Sequence, residues 1–353
     1  MSTPFAFVMA GGSGERFWPM SRQKTPKHLL RLLEERTLLE AAISRLEGVV
    51  PRERTFVLTN AAQVEATRAA LPMLPADHII AEPDKRDTAP ACALATAIAR
   101  VSAPDALCIV LPADAMIHDV AGFQRQLRDA IVVASRDKAI VTLGIPPVFP
   151  STGFGYLETG GKLADGPEGS QVRQLKRFVE KPDLENAARY VTEGHYLWNA
   201  GIFLWRAETF LDEARRQQPA LAGFIEGLAS LDRLPAYLAK HFASLPKISV
   251  DYAIMEHAGC VAAVLAEFDW DDVGAWTALP SHLGSDPDRN SLRGQVVQHA
   301  SGGNIAISNG RLIALCGVHD LVVVETPDAI LVCHKDAVQH VKNLQPLLPE
   351  DLK

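Results

Sequence analysis

Short apolar runs alternate with helical apolar spacing along the first 145 residues of the chain. The runs have the length of buried strands, and the segments between them repeat apolar residues every three or four positions, as amphipathic helices do. The predicted strands are 5–10, 55–59, 78–81, 107–112 and 140–144, and the predicted helices are 37–47, 63–71, 89–101 and 123–134. Because strands and helices alternate with short connections, we expect a parallel sheet with helices on both faces.

The regular alternation ends near residue 145. Two further strands are predicted at 172–179 and 198–205, and a mostly helical stretch follows from 207 to 245. Ligands of such sheets bind beyond the carboxyl ends of the strands, so functional residues are expected in the loops that leave those ends.

A polar linker at 286–290 separates a final region with a different pattern. Short β-rich runs recur there about every nine residues, which is typical of the coils of a β-helix-like module. The runs are 296–297, 304–307, 312–315, 321–324 and 329–332. A short helix is expected after them, through Val341. We therefore expect a large domain over residues 1–284 and a small β-rich domain over residues 285–353.

The composition is that of an ordinary soluble globular chain. The 353 residues are 48% hydrophobic and 22% charged, which is enough for a sizeable core. The net charge of -7 gives no support for general binding to nucleic acid or to an anionic membrane. The five cysteines are scattered without a Cys-x-x-Cys pair, and the run 5–10 is too short for a signal sequence or a membrane span. We expect a cytoplasmic protein with free thiols.

A glycine-rich loop follows the first predicted strand. Gly11, Gly12 and Gly14 permit a tight turn that points several backbone N–H groups to one side, which suits the phosphates of a nucleotide. Arg16 and Lys27 add cationic groups within the same segment, which favours a polyphosphate over one weak anion. A plain connection between two elements is the alternative, and the two cationic residues count against it.

The loop matches neither of the two commonest nucleotide-binding loops. A Walker loop ends in Gly-Lys-Ser/Thr, and no such ending follows here. Phe17 stands where the dinucleotide fingerprint has its third glycine, and Pro19 interrupts the place where a helix would begin.

Residues 10–16 read Ala-Gly-Gly-Ser-Gly-Glu-Arg, and residues 25–29 read Thr-Pro-Lys-His-Leu. These segments resemble the signature of sugar-nucleotide pyrophosphorylases, and within that group they are most similar to mannose-1-phosphate guanylyltransferases. The resemblance implies that Ala10 and the glycines of the loop bind the nucleotide. It also implies that Arg16 and Lys27 are catalytic and stabilise the leaving diphosphate.

A second loop, residues 82–90, joins a predicted strand to an alanine-rich helix. Asp87 or Thr88 fits an ordinary N-cap of that helix, and capping is compatible with binding. The loop resembles the Glu-Pro…Arg-Asn-Thr-Ala-Pro motif of the guanylyltransferases, whose relatives hold the base at this place. The resemblance implies that Glu82, Asp87 and Thr88 bind the nucleotide, because guanine offers N1–H and N2–H donors and an O6 acceptor.

A carboxylate follows the predicted strand 107–112. Asp114 would lie at the ligand edge of the sheet, where Mg²⁺ prefers a few carboxylates together with phosphate oxygens and water. A single aspartate after a strand is otherwise often a turn residue. The segment resembles the family's Leu-Pro-Ala-Asp-His, which implies that Asp114 is catalytic and holds Mg²⁺ or Mn²⁺, with Pro112 beside the nucleotide.

Three carboxylates crowd around a tryptophan in segment 269–276. Such a cluster is costly unless it is exposed or binds cations. The segment resembles the family's Trp-x-Asp-Val-Gly-Ser-Trp, which implies that Asp272 is the second catalytic metal ligand, opposite Asp114. Asp269 and Asp271 are weaker candidates for the same role.

Three segments after residue 150 resemble the sugar-phosphate site of the family. They read Thr-Gly-Phe-Gly-Tyr-Leu at 152–157, Phe-Val-Glu-Lys-Pro at 178–182 and Trp-Asn-Ala-Gly-Ile-Phe at 198–203. The resemblance implies that Glu180 and Asn199 bind the sugar hydroxyls, that Lys181 pairs with the phosphate, and that Gly155 and Gly201 line the same site. On their own, Glu180 and Lys181 would be interpreted as a solvated charge pair.

The resemblance runs through nearly the whole chain, with its motifs in the family's order. It implies an α/β, Rossmann-like nucleotidyltransferase domain with a mixed sheet, followed by a left-handed β-helix-like domain without the isomerase half of bifunctional members. The implied reaction converts GTP and α-D-mannose 1-phosphate into GDP-mannose and diphosphate. Separately, the exposed edges expected for the β-rich domain favour a homodimer.

Several departures from the family pattern keep alternatives open. The family usually has Thr, Gln, Asn and His where this chain has Glu15, His28, Asp87 and Ala115. A pyrophosphorylase for another nucleoside triphosphate and sugar phosphate is one alternative. A non-catalytic sensor of nucleotide sugars is the other, although the intact charged residues argue against it.

Overall fold

The computed structural model describes residues 4–103, 105–136 and 138–353. The strands that precede residue 290 are β1 Phe5–Ala10, β2 Thr55–Asn60, β3 Ile79–Glu82, β4 Leu107–Pro112, β5 Ile140–Ile145, β6 Gly155–Lys162, β7 Val172–Glu180, β8 Tyr196–Arg206 and β9 Val261–Leu265. The α-helices are α1 Leu38–Ser44, α2 Val64–Ala70, α3 Thr88–Ser102, α4 Val120–Arg136, α5 Leu184–Glu193, α6 Ala207–Gln217, α7 Pro219–Gly227, α8 Leu234–His241, α9 Val250–Ala253 and α10 Pro280–Leu283. The strands and helices predicted before residue 145 are all present, with bounds that differ by a few residues.

In the described part of the chain, nine strands form one mixed sheet in the order β3-β2-β1-β4-β8-β5-β9-β7-β6. β1 pairs in parallel with β2 and with β4, and β2 pairs in parallel with β3. Alternate residues of β1 enter opposite cores: Phe5 and Phe7 pack with α3, α6 and α7, whereas Ala6 and Val8 pack with α1 and α4. The predicted α/β fold with helices on both faces is therefore confirmed.

The parallel sheet predicted for the first 145 residues is interrupted by β8, which pairs antiparallel with both β4 and β5. This correction has a physical reason, because β8 is buried along almost all of its eleven residues and needs hydrogen-bonding neighbours on both edges. Since β8 runs opposite to β5, its first half lies beside the carboxyl end of that strand, where Gly144 is paired with Asn199. The insertion therefore brings Asn199 and Gly201 to the ligand edge of the sheet.

The strands after residue 290 stack in two short sheets. They are β10 Ser291–Arg293, β11 Val296–His299, β12 Ile305–Ile307, β13 Ile313–Cys316, β14 Leu321–Glu325 and β15 Ile330–His334. β10, β12 and β14 are parallel and in register, β11 and β13 form a second parallel pair, and β15 closes the first sheet antiparallel. Each coil therefore contributes one strand to each of the two sheets, which explains why the predicted runs recur twice per coil. The β-helix-like prediction is confirmed. A 3-10 helix, Lys335–Leu347, follows where a shorter helix was predicted.

Two buried asparagines connect successive coils. Asn290 Oδ1 accepts hydrogen bonds from the backbone N–H and the side-chain amide of Asn304, both at 2.9 Å. The amide of Asn304 also donates to the carbonyl oxygen of Val318 at 3.0 Å, and its Oδ1 accepts the backbone N–H of Leu321 at 3.0 Å. Because Asn304 is fully buried, these bonds replace water for every polar atom of its amide.

The C-terminal region shares a core with the segment that follows the glycine loop. Phe17 and Trp276 lie in one buried cluster with Ile305, Val322 and other residues of the β-helix-like region. The indole N–H of Trp18 donates to the carbonyl oxygen of Leu352 at 3.0 Å. The small C-terminal region therefore supports the segment that follows the loop.

Within the described residues, no helix combines the length and the apolar character needed to cross a membrane. All five cysteines have free thiols, of which Cys92 and Cys108 are buried while Cys260 and Cys316 are exposed.

We expect Asn304→Ala to lower the free energy of unfolding by roughly 2–4 kcal/mol, because it leaves several buried backbone and amide groups without partners. Denaturant unfolding would measure this loss. The matched control is Asn343→Ala, since Asn343 is exposed on the C-terminal 3-10 helix. Equal stability of the two variants would contradict the structural role of the buried asparagines.

Candidate functional site

A cleft of about 480 Å³ opens at the carboxyl ends of β1 and β4, next to the first half of β8. The predicted site residues that line it are Gly14, Arg16, Lys27, Pro112, Asp114, Gly155, Glu180, Asn199, Gly201 and Asp272. The other predicted site residues are not among those that line it: Ala10, Gly11, Gly12, Glu82, Asp87, Thr88 and Lys181. Most of the sequence motifs thus converge on one cleft, whereas the predicted base loop, residues 82–90, contributes no residue to its lining.

The glycine loop turns sharply at Gly14, which has a φ of 66°. A Cβ atom at this position would stand 2.3 Å from the Cβ of Lys27, so the close approach of the two segments requires glycine. The carbonyl oxygen of Gly14 accepts hydrogen bonds from the backbone N–H of Phe17 at 2.8 Å and from the hydroxyl of Ser21 at 2.7 Å. The turn therefore fixes Lys27 against the loop.

Lys27 joins three segments of the chain at the floor of the cleft. Its ammonium group donates to Asp114 Oδ2 at 2.8 Å and to the backbone carbonyl oxygen of Asp272 at 2.6 Å. Only 7% of the Lys27 side chain is exposed. A buried ammonium group with charge-assisted partners holds its neighbours in a fixed arrangement.

The two predicted metal ligands differ in their electrostatics. Burial acts to raise the pKa of Asp114, but the charge and hydrogen bond of Lys27 outweigh it and hold that pKa below its usual value. Burial raises the pKa of Asp272 to about 6, and the neighbouring carboxylates of Asp271 and Asp114 add to the shift. Asp272 is therefore a carboxylate that a bound cation would stabilise.

The other two aspartates of this segment make structural contacts. Asp269 accepts the backbone N–H groups of His118 and Asp119, at distances of 2.6 to 3.0 Å. Asp271 accepts the backbone N–H of Val273 at 2.7 Å and lies 3.0 Å from a ring nitrogen of His282. These bonds satisfy Asp269 and Asp271, and Asp272 is the member of the cluster that lines the cleft.

Arg16 lies on the same side of the cleft as the glycine loop. Its Nη1 donates to the carbonyl oxygen of Gly274, a long bond of 3.4 Å. Its Nε is buried and has no hydrogen-bond partner among the described residues. A buried donor without a partner is costly, and an anion in the cleft would accept from the remaining donors of this guanidinium group.

The opposite end of the cleft is polar and is built by β6, β7 and β8. Asn199 Oδ1 accepts from the backbone N–H of Gly201 at 3.1 Å, and its amide donates to Asp251 Oδ1 at 3.2 Å. A Cβ atom on Gly155 would stand 2.6 Å from Glu180 Oε2, so glycine is needed for this carboxylate to lie in the cleft. Carboxylates and amides at such a site suit hydroxyl groups of a ligand.

The family of the chain follows from its match to known sequence families. Residues 5–284 match the family described as Nucleotidyl transferase, and residues 294–345 match the family described as MannoseP isomerase/GMP-like beta-helix domain. The chain belongs to the nucleotidyl transferase family.

Individual proteins and a solved structure also match this nucleotidyl transferase over almost its whole length. It is 36% identical to the Mannose-1-phosphate guanylyltransferase of Escherichia coli (strain K12), over 98% of this chain and 74% of that protein. It is 37% identical to the Xanthan biosynthesis protein XanB of Xanthomonas campestris pv. campestris (strain B100), over 98% of this chain and 73% of that protein. Its fold matches the crystal structure of a mannose-1-phosphate geranyltransferase from Thermus thermophilus, with a TM-score of 0.87, 36% identity, and coverage of 98% and 99% of the two chains.

The predicted base loop of this nucleotidyl transferase has a clear helix-capping function. Asp87 has a φ of 68°, and its side chain accepts the backbone N–H of Thr88 at 2.7 Å. The hydroxyl of Thr88 accepts the backbone N–H of Val250 at 2.8 Å, which ties the loop to α9. Glu82 lies beside the glycine loop, 3.6 Å from where a Cβ on Gly11 would stand, and burial raises its pKa to about 7.

Sequence reasoning missed two acidic residues of the cleft, Glu15 and Asp251. Asp251 lines the cleft beside Asn199, and burial together with the charge of Glu180 raises its pKa to about 7. An aspartate two residues after the N-cap Ser249 is an ordinary helix-start residue. The pairing with Asn199 depends on the antiparallel insertion of β8, which no local pattern shows.

We expect Asp251→Asn to stabilise the protein at pH 8, and the gain to shrink as the pH falls toward about 4. The carboxyl group binds its proton more tightly in the folded protein, with a pKa of about 7 against an ordinary aspartate value of 3.8. Its favourable contribution is therefore complete below the unfolded pKa and is lost as the pH rises through the folded value. Denaturant unfolding in metal-free buffer measures this difference.

The control for this pH series is Asp77→Asn, which changes an exposed aspartate. A constant difference between Asp251→Asn and the native chain from pH 4 to pH 8 would contradict the raised pKa.

Proposed function

We propose that this chain is a mannose-1-phosphate guanylyltransferase, which converts GTP and α-D-mannose 1-phosphate into GDP-mannose and diphosphate. One observation carries the proposal: Arg16, Lys27, Asp114 and Asp272 meet at one end of a cleft whose other end is built from Asn199 and its neighbours. The names of similar proteins, given above, support the same substrates. Membership of the nucleotidyl transferase family supports the class of reaction.

The two ends of the cleft fit the two substrates. The glycine loop, Arg16 and Lys27 offer N–H donors and positive charge for a triphosphate. Glu180 and Asn199 offer acceptors and donors for sugar hydroxyls, and Lys181, which pairs with Glu180, is next to them for the sugar phosphate. This arrangement would set a phosphate oxygen of the sugar phosphate in line with the α-phosphorus of the nucleotide.

The transfer needs orientation and charge stabilisation more than it needs proton transfer. The sugar phosphate is already an anion near neutral pH, so its oxygen forms the new bond to the α-phosphorus without a general base. The bond from the α-phosphorus to the departing diphosphate breaks in the same displacement. Fixed cationic groups at Arg16 and Lys27 stabilise the charge that collects on the leaving diphosphate.

The acidic floor of the cleft fits Mg²⁺ or Mn²⁺. Asp114 and Asp272 both line it, and burial raises the pKa of Asp272, so a bound cation would favour its ionised form. Within the described residues, no group of three or more His, Cys, Asp or Glu side chains is arranged to hold a metal. Phosphate oxygens and water would complete the coordination, as Mg²⁺ prefers. Asp114 and Asp272 would hold the ion, which would neutralise part of the phosphate charge.

We assign the recognition of guanine to Glu82 rather than to Asp87. Asp87 is engaged in capping α3, whereas the carboxyl group of Glu82 lies beside Gly11 in the nucleotide loop. A carboxylate accepts from both N1–H and N2–H of guanine, and adenine offers no equivalent pair of donors. Hydrogen bonds from the base would also stabilise the ionised form of a carboxyl group whose pKa burial has raised.

We also propose a cytoplasmic homodimer. Five free thiols suit a reducing compartment. The outer edge strand β15 exposes Ile330 and Val332, and Leu312 is exposed as well. Exposed apolar residues at a sheet edge favour association with a second copy of the chain.

Release of diphosphate, measured with four nucleoside triphosphates and several sugar 1-phosphates, tests the proposed function. We expect turnover with GTP and mannose 1-phosphate above all other pairs. A preference for another pair would make the chain a different pyrophosphorylase. Tight binding of GDP-mannose without turnover of any pair would make it a sensor.

Asp114→Asn and Asp272→Asn should each lower kcat by on the order of 10² or more, which is the usual loss for a fixed charge-stabilising group. Activity should require Mg²⁺ or Mn²⁺ and should disappear in excess EDTA. Steady-state release of diphosphate measures both effects. The matched variant is Asp271→Asn, which we expect to affect stability and to leave the metal requirement unchanged. Full activity in EDTA would contradict the metal proposal.

Lys181→Ala should raise the KM for mannose 1-phosphate, because Lys181 pairs with Glu180, which lines the sugar end of the cleft. Arg16→Ala should instead raise the KM for GTP and lower kcat, because it removes the guanidinium group next to the glycine loop. Separate KM values for the two substrates measure this division. A Lys181→Ala enzyme with a raised KM for GTP alone would show that the two ends are assigned wrongly.

Glu82→Gln should reduce the preference for GTP over ATP by roughly tenfold or more, because a site that pairs with polar groups rejects a base that leaves them unpaired. Asp87→Ala should lower thermal stability and leave the base preference unchanged, since it removes a helix cap. Competition between GTP and ATP measures preference, and a melting curve measures stability. The reverse pattern would return guanine recognition to Asp87.

A further inference from the structure

A lysine of the C-terminal 3-10 helix reaches the cleft. Lys342 lines it, although it lies far along the chain from the other lining residues. The preceding residue, Val341, is 3% exposed and belongs to the buried cluster that also holds Phe17 and Trp276. The helix packs against residues Glu15–Phe17 of the glycine loop, so Lys342 lies at the nucleotide end of the cleft.

The charges of the cleft need a further cation when a nucleotide binds. Its described lining includes three cationic side chains, those of Arg16, Lys27 and Lys342. It also includes five carboxyl groups, those of Glu15, Asp114, Glu180, Asp251 and Asp272. A nucleoside triphosphate would add several negative charges beside these carboxyl groups, of which Asp251 and Asp272 have a raised pKa. Nearby like charges oppose binding unless cations offset them.

The existing contacts of the three cations differ. Lys27 is already bonded to Asp114 and to the backbone of Asp272, and Arg16 donates to the carbonyl oxygen of Gly274. Among the described residues, the ammonium group of Lys342 has no hydrogen bond or ion pair, and its side chain is exposed. It is therefore free to move toward a ligand at little cost in lost contacts.

We propose that Lys342 binds the terminal phosphates of the nucleotide, the part that leaves as diphosphate. The inference deepens the proposed guanylyl transfer and rests on it. A flexible lysine is a mobile point charge that follows phosphate oxygens as the bond to the α-phosphorus breaks. The anchored Val341 fixes where that charge can reach, so the β-helix-like region contributes a side chain to the nucleotide site in addition to supporting the loop.

Calorimetric titration of inorganic diphosphate in the presence of Mg²⁺ tests this directly. Lys342→Met should weaken binding by about tenfold, a usual loss for one charge-assisted contact with a phosphate, and Lys342→Arg should restore most of it. The matched control is Lys335→Met, which removes the same charge from the same helix outside the cleft lining. The difference between Lys342→Met and the native chain should shrink at about 0.5 M salt, because salt screens an exposed charge.

Steady-state kinetics add a second readout. Lys342→Met should raise the KM for GTP and, in the reverse reaction, the KM for diphosphate, while the KM for mannose 1-phosphate stays within about twofold of the native value. A purely structural role would not divide the substrates in this way. Melting curves confirm that the variants are folded.

The outcomes separate this inference from the proposed function. Native binding of diphosphate by Lys342→Met would overturn it, and so would an equal loss in Lys335→Met or no diphosphate binding by the native chain. If the native chain releases no diphosphate from GTP and mannose 1-phosphate but still binds diphosphate through Lys342, the proposed reaction fails and the phosphate contact stands.

Discussion

A buried ammonium group holds three distant segments together at the ligand edge of the sheet. Lys27 follows the glycine loop, Asp114 follows β4, and Asp272 belongs to a segment that comes after β9, yet hydrogen bonds of 2.8 and 2.6 Å join them. The contact requires Gly14, since any side chain there would collide with Lys27. A triphosphate site depends on this contact because it sets the distance between the loop donors and the acidic floor.

Local sequence patterns predicted the strands and helices of the fold better than they predicted the order of the strands in the sheet. The spacing of apolar residues predicted the strands and helices before residue 145, because an element that is buried on one face or both has a regular pattern of apolar residues. The insertion of β8 between β4 and β5 leaves no such trace, since it depends on pairing between residues that are far apart in the chain. The short strand β9 was not predicted at all, and both of its partners, β5 and β7, are far from it in the chain.

The site could be predicted from the sequence where the resemblance supplied motifs, and not elsewhere. Ten of the predicted residues line the cleft, among them both proposed metal ligands. Asp251 was missed because its neighbour Asn199 reaches it only through the β8 insertion. Lys342 was missed because a lysine on a polar helix is ordinary until the helix is seen against Glu15–Phe17.

A double-mutant cycle on Lys27 and Asp114 tests the central claim most directly. Release of diphosphate would be measured for Lys27→Met, for Asp114→Asn and for the double variant. If the two side chains act as one unit, the double variant will lose little more activity than the worse single variant, since each change already breaks the shared contact. If the fold loss of activity in the double variant equals the product of the two single losses, as for independent residues, the account is contradicted.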